Sequence, residues 1–321
     1  RPVTLLFSEE VPANIAKRIT LKTAKGVRKP ESIAGQNTTF IRFAPPFDPN
    51  TTLDIVLPQG FKDISGRNLA HTQKLPIQVQ FGGIPPLAKF PGTFGILEWK
   101  ADPLLPVTLR NVESSKDTKT SLKARQIHLG PATSDKTLMD WYVRSESFND
   151  DFDKENEDPR TYSLLDKIPD HIVFDLPKPN GVKATEVVGI PMKNPGLYIV
   201  ELESQLLGDA YFGKKQPMYV RTAALVTNMA VHFKKSDKNS LVWVTSLDRG
   251  QPVPGASVTV TDCNGTAVWQ GVTNDQGIAH INQPLADNDD CYNTYFVTAR
   301  KEGDLSFVSS EWNDGIGPWR F

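Results

Sequence analysis

With 321 residues, the chain has room for two or three domains of ordinary size. A hydrophobic fraction of 39% and a charged fraction of 23% suit folded domains, and a net charge of -1 excludes a bulk pull toward nucleic acid or an acidic membrane. No apolar run approaches the roughly 18–20 residues that a membrane-spanning helix needs.

Residues 1–84 read as a small β-sandwich. Val3, Leu5 and Phe7 alternate along the chain, as do Leu53, Ile55 and Leu57. Alternation suits a half-buried strand, whose successive side chains point to opposite faces. Phe40–Phe43 and Leu75–Phe81 supply two more strands, punctuated by Pro45-Pro46, Pro58-Gln-Gly60 and Ser65-Gly-Arg-Asn68. Gly82-Gly-Ile-Pro-Pro86 combines a flexible pair with a stiff one and marks a boundary.

Residues 85–220 are mixed. Strands are expected at Phe94–Lys100, Leu105–Val112, Gln126–Leu129, Val182–Ile190 and Leu197–Leu207, with Tyr198, Val200 and Leu202 facing one way in the last. A helical insertion is expected around 134–168. Ser134 can cap a helix that places Leu138, Trp141 and Tyr142 on one face. Asp158-Pro159 can open a second short helix carrying Tyr162 and Leu165, which Pro169 stops.

Residues 221–321 read as another sandwich. In Leu225–Phe233 the residues Leu225, Met229, Val231 and Phe233 share a face, with Asn228 and His232 opposite. Leu241, Trp243 and Leu247 form a comparable stripe, and Val258 and Val260 alternate with Ser257, Thr259 and Thr261. Tight turns fall at Pro254-Gly255, Asn264-Gly265 and Asn274–Gly277. The architecture expected is mainly β, tandem Ig-like sandwiches with a short helical insertion in the middle one.

Catalytic and metal chemistry find no support. There is no Gly-x-Ser-x-Gly elbow, and the five histidines (His71, His128, His171, His232, His280) are scattered over all three segments. His232 reads as a solvent-face residue. Zinc spacings, Gly-x-Gly-x-x-Gly and the P-loop pattern are absent, so neither a cofactor nor a nucleotide is expected. Asp151, Asp153 and Glu155 have the alternate spacing of a calcium loop, yet Asn156 and Tyr162 stand where glycine and glutamate are required. That run reads as a solvated loop, and Asp287–Asp290 as a polar loop tip.

Cys263 and Cys291 both sit at polar loop edges of the third segment. A bridge between them would close a loop of under 30 residues, worth about 3 kcal/mol, and would place the chain in an oxidising compartment. Two free thiols are the alternative. Trp312 and Trp319 read as packing between domains; an exposed aromatic row that binds carbohydrate is the rival reading.

The order of the phrases is more specific than their pattern. "LVWVTSLDRGQPVPGASVTV" followed by "GVTNDQGIAHI", after "GLYIVELESQLLG" and "MYVRTAALVTNMAVHFK", resembles macroglobulin (MG) domains of the bacterial alpha-2-macroglobulin family. The likeness extends over roughly 180–321 and is weaker before that. It implies a non-enzymatic segment of a periplasmic, broad-spectrum protease inhibitor. The phrase "YVRTAALVTNMAVHFK" and the cysteine in "VTDCNG" look closer to the class without a thioester, and neither cysteine fits Cys-x-Glu-Gln. The partners implied are proteases, met through the full-length protein, together with a peptidoglycan synthase of the penicillin-binding class and products of neighbouring genes. Contacts between such domains are expected to be modest and to permit relative motion. The opening Arg1-Pro-Val-Thr already reads as strand, and the run from Trp312 to Phe321 has no natural stop. A segment of a longer protein is therefore expected, with targeting signals and any inner-membrane anchor outside it. The alternative is an Ig-like adhesin or surface-array protein that binds through its loops.

Overall fold

The computed structural model describes residues 2–69, 75–112, 122–150 (backbone only for 147–150), 158–176, 185–286 and 294–312. They are mainly β, in tandem sandwiches, and the chain divides into compact units Arg1–Ile84 and Pro85–Phe321.

In the first unit, β1 (Val3–Pro12) pairs with β4 (Asn37–Phe43). The second sheet has the order β3-β2-β5-β6, from β2 (Thr20–Thr23), β3 (Gly26–Arg28), β5 (Thr52–Val56) and β6 (Ile77–Gln80). The stripes Val3, Leu5, Phe7 and Leu53, Ile55, Leu57 face the core, while Leu6, of opposite parity, is 75% exposed. A one-turn helix α1 (Ala13–Ala16) and the short β2–β3 hairpin have no counterpart in the expected elements. Ile19, just before β2, and Leu21 within it are nevertheless buried.

The second unit holds two sandwiches. One sheet, β11-β10-β13-β14-β8, is built from β8 (Phe94–Glu98), β10 (Leu122–Leu129), β11 (Ile172–Phe174), β13 (Gly196–Ser204) and β14 (Met218–Thr227). It packs one face on β12-β9-β7, formed by β7 (Leu87–Lys89), β9 (Leu104–Arg110) and β12 (Glu186–Pro191), around Tyr198, Val200 and Leu202. Its other face is covered too, so Leu197 and Ile199 are also buried. A strand covered on both faces needs a near-continuous apolar run, which "GLYIV" supplies. The final sandwich packs β15 (Met229–Lys235), β16 (Ser240–Ser246) and β19 (Ile278–Ile281) against β17 (Ser257–Asp262), β18 (Ala267–Val272), β20 (Tyr295–Lys301) and β21 (Asp304–Ser309).

Four expectations are corrected. The apolar run Leu225–Phe233 is two strands in different sheets, divided at Asn228. In β16 the buried parity is Val242 and Val244, both 0% exposed, while Trp243 and Leu247 face outward. Leu-Val-Trp-Val is apolar on both parities, and the two small branched residues fit the space between sheets. The expected strand to Leu207 stops at Ser204, whose Oγ accepts from Leu207 N–H at 3.2 Å and caps a helix, α3 (Gln205–Phe212). The second helix of the insertion is only a 3-10 turn, Pro159–Thr161. Asp158 does cap it, but Ser163 Oγ then accepts from Leu165 and Asp166 N–H and starts a separate turn.

Candidate functional site

Helix α2 (Asp135–Asp150) forms where Ser134 Oγ accepts from Thr137 N–H at 3.2 Å and the Ser134 carbonyl accepts from Leu138 N–H at 3.0 Å. Its apolar face carries Leu138, Met139, Trp141 and Tyr142 into a core that also contains Leu197, Ile199 and Leu225 of the middle sandwich. Phe296, Leu305 and Phe307 of the last sandwich complete it. This shared core is the reverse of the modest contacts expected between neighbouring domains. Burying one continuous apolar surface couples the two sandwiches into one body.

At its centre is an aromatic cluster. Tyr142 packs against Phe94, Trp312 and Phe307 at 5.5, 5.4 and 5.7 Å between ring centroids, and Phe296 lies 4.7 Å from Phe307. Edge-on and tilted arrangements of this kind suit aromatic quadrupoles. Trp312 Nε1–H donates to Tyr142 Oη at 2.6 Å. Burial pushes the Tyr142 hydroxyl pKa up, against the lowering effect of that donor.

Polar fasteners ring the core. From β20, Arg300 donates to the carbonyls of Pro131 and Thr133 at 2.9 and 2.8 Å and lies 2.6 Å from Asp135 Oδ1. One guanidinium thus grips the segment that opens α2, using the fork geometry that lysine lacks. The turn at Gly265 (φ +80) comes so close to α2 that an added Cβ would stand 2.6 Å from Lys136 Cβ.

Beneath this, Glu201 and Arg221 face each other across β13 and β14 with side chains 0% and 4% exposed, 3.2 Å apart. Glu201 also accepts from Leu164 N–H at 2.7 Å and from the Ser163 hydroxyl. Arg221 donates to the carbonyls of Pro159 and Tyr162. Such a pair holds only when its other hydrogen-bonding positions are filled, and here they are filled by residues 159–164. Burial lowers the Arg221 pKa, opposed by Glu201. The pair fixes the segment carrying Leu164 and Leu165 onto the sheet, under the shared core.

The passage between sandwiches is Asn228 alone. Its N–H donates to Asp304 Oδ2 at 2.8 Å, its carbonyl accepts from Leu247 N–H at 2.8 Å, and its amide donates to Asp248 Oδ1 at 3.2 Å. Lys100 of the middle sandwich reaches Asp248 at 3.5 Å. Burial raises the Asp304 pKa despite its donors. For Asp248 desolvation also pushes upward, but donors from Asn228, Ser246 and Arg249 and the Lys100 charge outweigh it and hold the pKa at about 2.

Of the residues singled out from sequence, Trp312 lies in the shared core. Its partners precede it in the chain. Cys263 follows β17 at the Asn264-Gly265 turn, while Cys291, Trp319 and His71, with the acidic runs 151–157 and 287–290, fall outside the described residues. His128 stacks on Tyr198 at 4.3 Å and His171 Nδ1 lies 2.6 Å from the Ile168 carbonyl oxygen, both in local structural contacts; His232 and His280 are on an outer sheet face. Among the described residues no group of three or more His, Cys, Asp or Glu could hold a metal ion. Arg300, Glu201, Arg221 and Gly265 were not legible as partners, because each meets its counterpart across a long stretch of chain.

Comparison with known proteins bears on the same regions. Residues 226–321 match the bacterial alpha-2-macroglobulin MG3 domain, beginning two residues before the Asn228 joint, and residues 1–82 match a bacterial Ig-like domain. The alpha-2-macroglobulin of Pasteurella multocida (strain Pm70) is 38% identical over 69 residues. Over residues 226–321 this chain is therefore similar to an alpha-2-macroglobulin MG3 domain. The stretch matched by the Pasteurella relative is 19% of the chain and 4% of that relative. The fold agrees with alpha-2-macroglobulins of known structure. An Escherichia coli alpha-2-macroglobulin fragment spanning domains MG0-NIE-MG1 superposes with a TM-score of 0.53 at 15% identity, covering 96% of this chain and 91% of that one. A Salmonella alpha-2-macroglobulin variant gives a TM-score of 0.55 at 14% identity over 100% of this chain and 18% of its own. This chain therefore spans only a small part of the longer macroglobulins it resembles.

Proposed function

We propose that this segment is a non-catalytic stiff arm of a bacterial alpha-2-macroglobulin-like protease inhibitor that works in periplasmic defence. The observation that carries the reading is the shared core across α2, β13, β14, β20 and β21, fastened by Arg300, which makes residues 85–321 one body. An arm of this kind holds other parts of a large protein at set positions and supplies surface for partners. Proteases are met by the full-length protein. A peptidoglycan synthase of the penicillin-binding class and neighbouring gene products are further candidate partners, and a Cys263–Cys291 bridge belongs to the same periplasmic reading. The thioester-lacking class is carried by the phrase "YVRTAALVTNMAVHFK" and by the cysteine in "VTDCNG".

The test is inhibition by the full-length parent. Preincubation with a general protease should protect a large protein substrate from digestion, and a parent carrying Arg300→Ala with Phe307→Ala should protect less. Undiminished digestion in the presence of the intact parent overturns the inhibitor reading. Periplasmic extraction and thiol titration of the unfolded, unreduced chain check the compartment, with no reactive cysteine expected; two reactive thiols exclude the bridge. The match of residues 1–82 to a bacterial Ig-like domain favours a second reading, an adhesin or surface array. It predicts ligand binding by the intact parent without any protection.

A further inference from the structure

The outer face of the sheet β15-β16-β19 carries Trp243, the one exposed tryptophan among the described residues, at 41%. Because Val231, Val242, Val244, Ala279 and Ile281 fill the inner face, the opposite parity must point outward. The register sets His232 and Ile278 on either side of Trp243, and Lys234 and His280 on either side of Leu241. Cross-strand neighbours at this spacing form a continuous surface. The His232 ring lies 5.4 Å from the indole and steadies it.

Next to the indole is a shallow cleft of about 270 Å³ lined by Lys234, Ser236, Asn239, Ser240, Leu241, His280 and Asn282. Six of these seven are polar and none is a carboxylate. The side chains of Lys234, Ser236, Asn239, His280 and Asn282 make no hydrogen bond or ion pair among the described residues. The contrast with the cleft at the Asn228 joint is plain, since there Lys100 is paired with Asp248, and Asp304 holds the Asn228 N–H. The hairpin beside the outer cleft also carries Lys235 and Lys238 against a single Asp237, so that hairpin is net positive.

We propose that this face binds an acidic polysaccharide, with a sugar ring lying on the Trp243 indole and its acid group at Lys234. The electron-rich face of an indole attracts the polarised C–H bonds of a sugar ring. Asn239, Asn282 and His280 supply donors for hydroxyls, and among the described residues no carboxylate lines the cleft to repel an acid group. A protein partner would instead want a cluster of apolar anchors able to shed water together, and Leu241 is the sole aliphatic in the cleft.

The experiment titrates the full chain with alginate (a polyuronate), dextran (a neutral polyglucose) and poly-glutamate (acid groups without sugar), by calorimetry or affinity electrophoresis. Saturable binding of alginate is expected, weakening as salt rises, with dextran and poly-glutamate each much weaker. Trp243→Ala, which removes an exposed side chain, should lose about tenfold in affinity, equivalent to about 1.4 kcal/mol. Lys234→Gln should lose severalfold and flatten the salt dependence, while Lys22→Gln in the first unit should leave binding unchanged. Failure to bind alginate, equal binding of poly-glutamate, or full alginate affinity in folded Trp243→Ala would each overturn the assignment. The first of these is also the outcome expected if a protein covers this face.

Discussion

Phe307→Ala tests whether the last two sandwiches share one core. Phe307 is 1% exposed and meets Phe94, Tyr142, Phe296 and Trp312 at 6.0, 5.7, 4.7 and 5.7 Å between ring centroids. Those neighbours belong to β8, α2, β20 and the segment after β21, so they cannot collapse together into the hole left by the ring. The cost is therefore expected at the upper end of about 3–5 kcal/mol. With a urea slope near about 3 kcal/mol per molar, the midpoint should fall by about 1–2 M. All six tryptophans lie at or beyond Trp99, so their fluorescence reports residues 85–321 with no signal from the first unit. In the unaltered chain, fluorescence at several emission wavelengths should give one coincident transition. In Phe307→Ala the transition should move down and split. Two separated fluorescence transitions in the unaltered chain, or a shift under about 0.5 M in the variant, would refute the shared core.

Glu201→Ala strands the Arg221 cation in the sheet without its carboxylate, and should cost about 3–5 kcal/mol in the same urea titration. Gly265→Ala puts a Cβ against Lys136 at a backbone φ of +80 and should cost about 1–3 kcal/mol, whereas Asn264→Ala beside it should cost less. The pH dependence separates the two carboxylates at the joint. Asp248 is held at about 2, below its ordinary 3.8, so its contribution is present above 3.8 and lost as pH falls toward about 2; Asp248→Asn should flatten that acid limb. Asp304 is raised, so its contribution has the opposite sign, complete below 3.8 and lost as pH climbs through its folded value. Asp304→Asn should remove that decline, read as urea midpoints across the acid range.

Much of the strand content could be read from local pattern, and the reasons for the exceptions differ. Within the stripe Leu53, Ile55, Leu57 the charged Asp54 marks the opposite parity as outward, so only one face could be inward. Leu241–Val244 offers apolar residues on both parities, and only the facing sheet decides between them. Helix α3 carried its own signals in Ser204 and in Gly213, which takes φ +67 at the C-terminal end, but the apolar run before it looked like a longer strand. Gly208 is required there by a close approach, since a Cβ would stand 1.8 Å from the Gln216 carbonyl oxygen. The α2 cap and apolar face were legible because Ser134, Leu138, Trp141 and Tyr142 are near neighbours in sequence. The clasp was not, because Arg300 reaches Pro131 and Thr133 across 169 and 167 positions, a pairing that only the folded arrangement creates.

The joint at Asn228 has a mechanical corollary. A connector one residue long, pinned through N–H, carbonyl and side chain, has no slack to take up before load passes from β14 into β15. Any torque on the far sandwich is delivered straight to the middle sheet, with residue 228 as fulcrum and the aromatic cluster as the bearing surface. Lengthening that connector by a single glycine would turn a lever into a hinge.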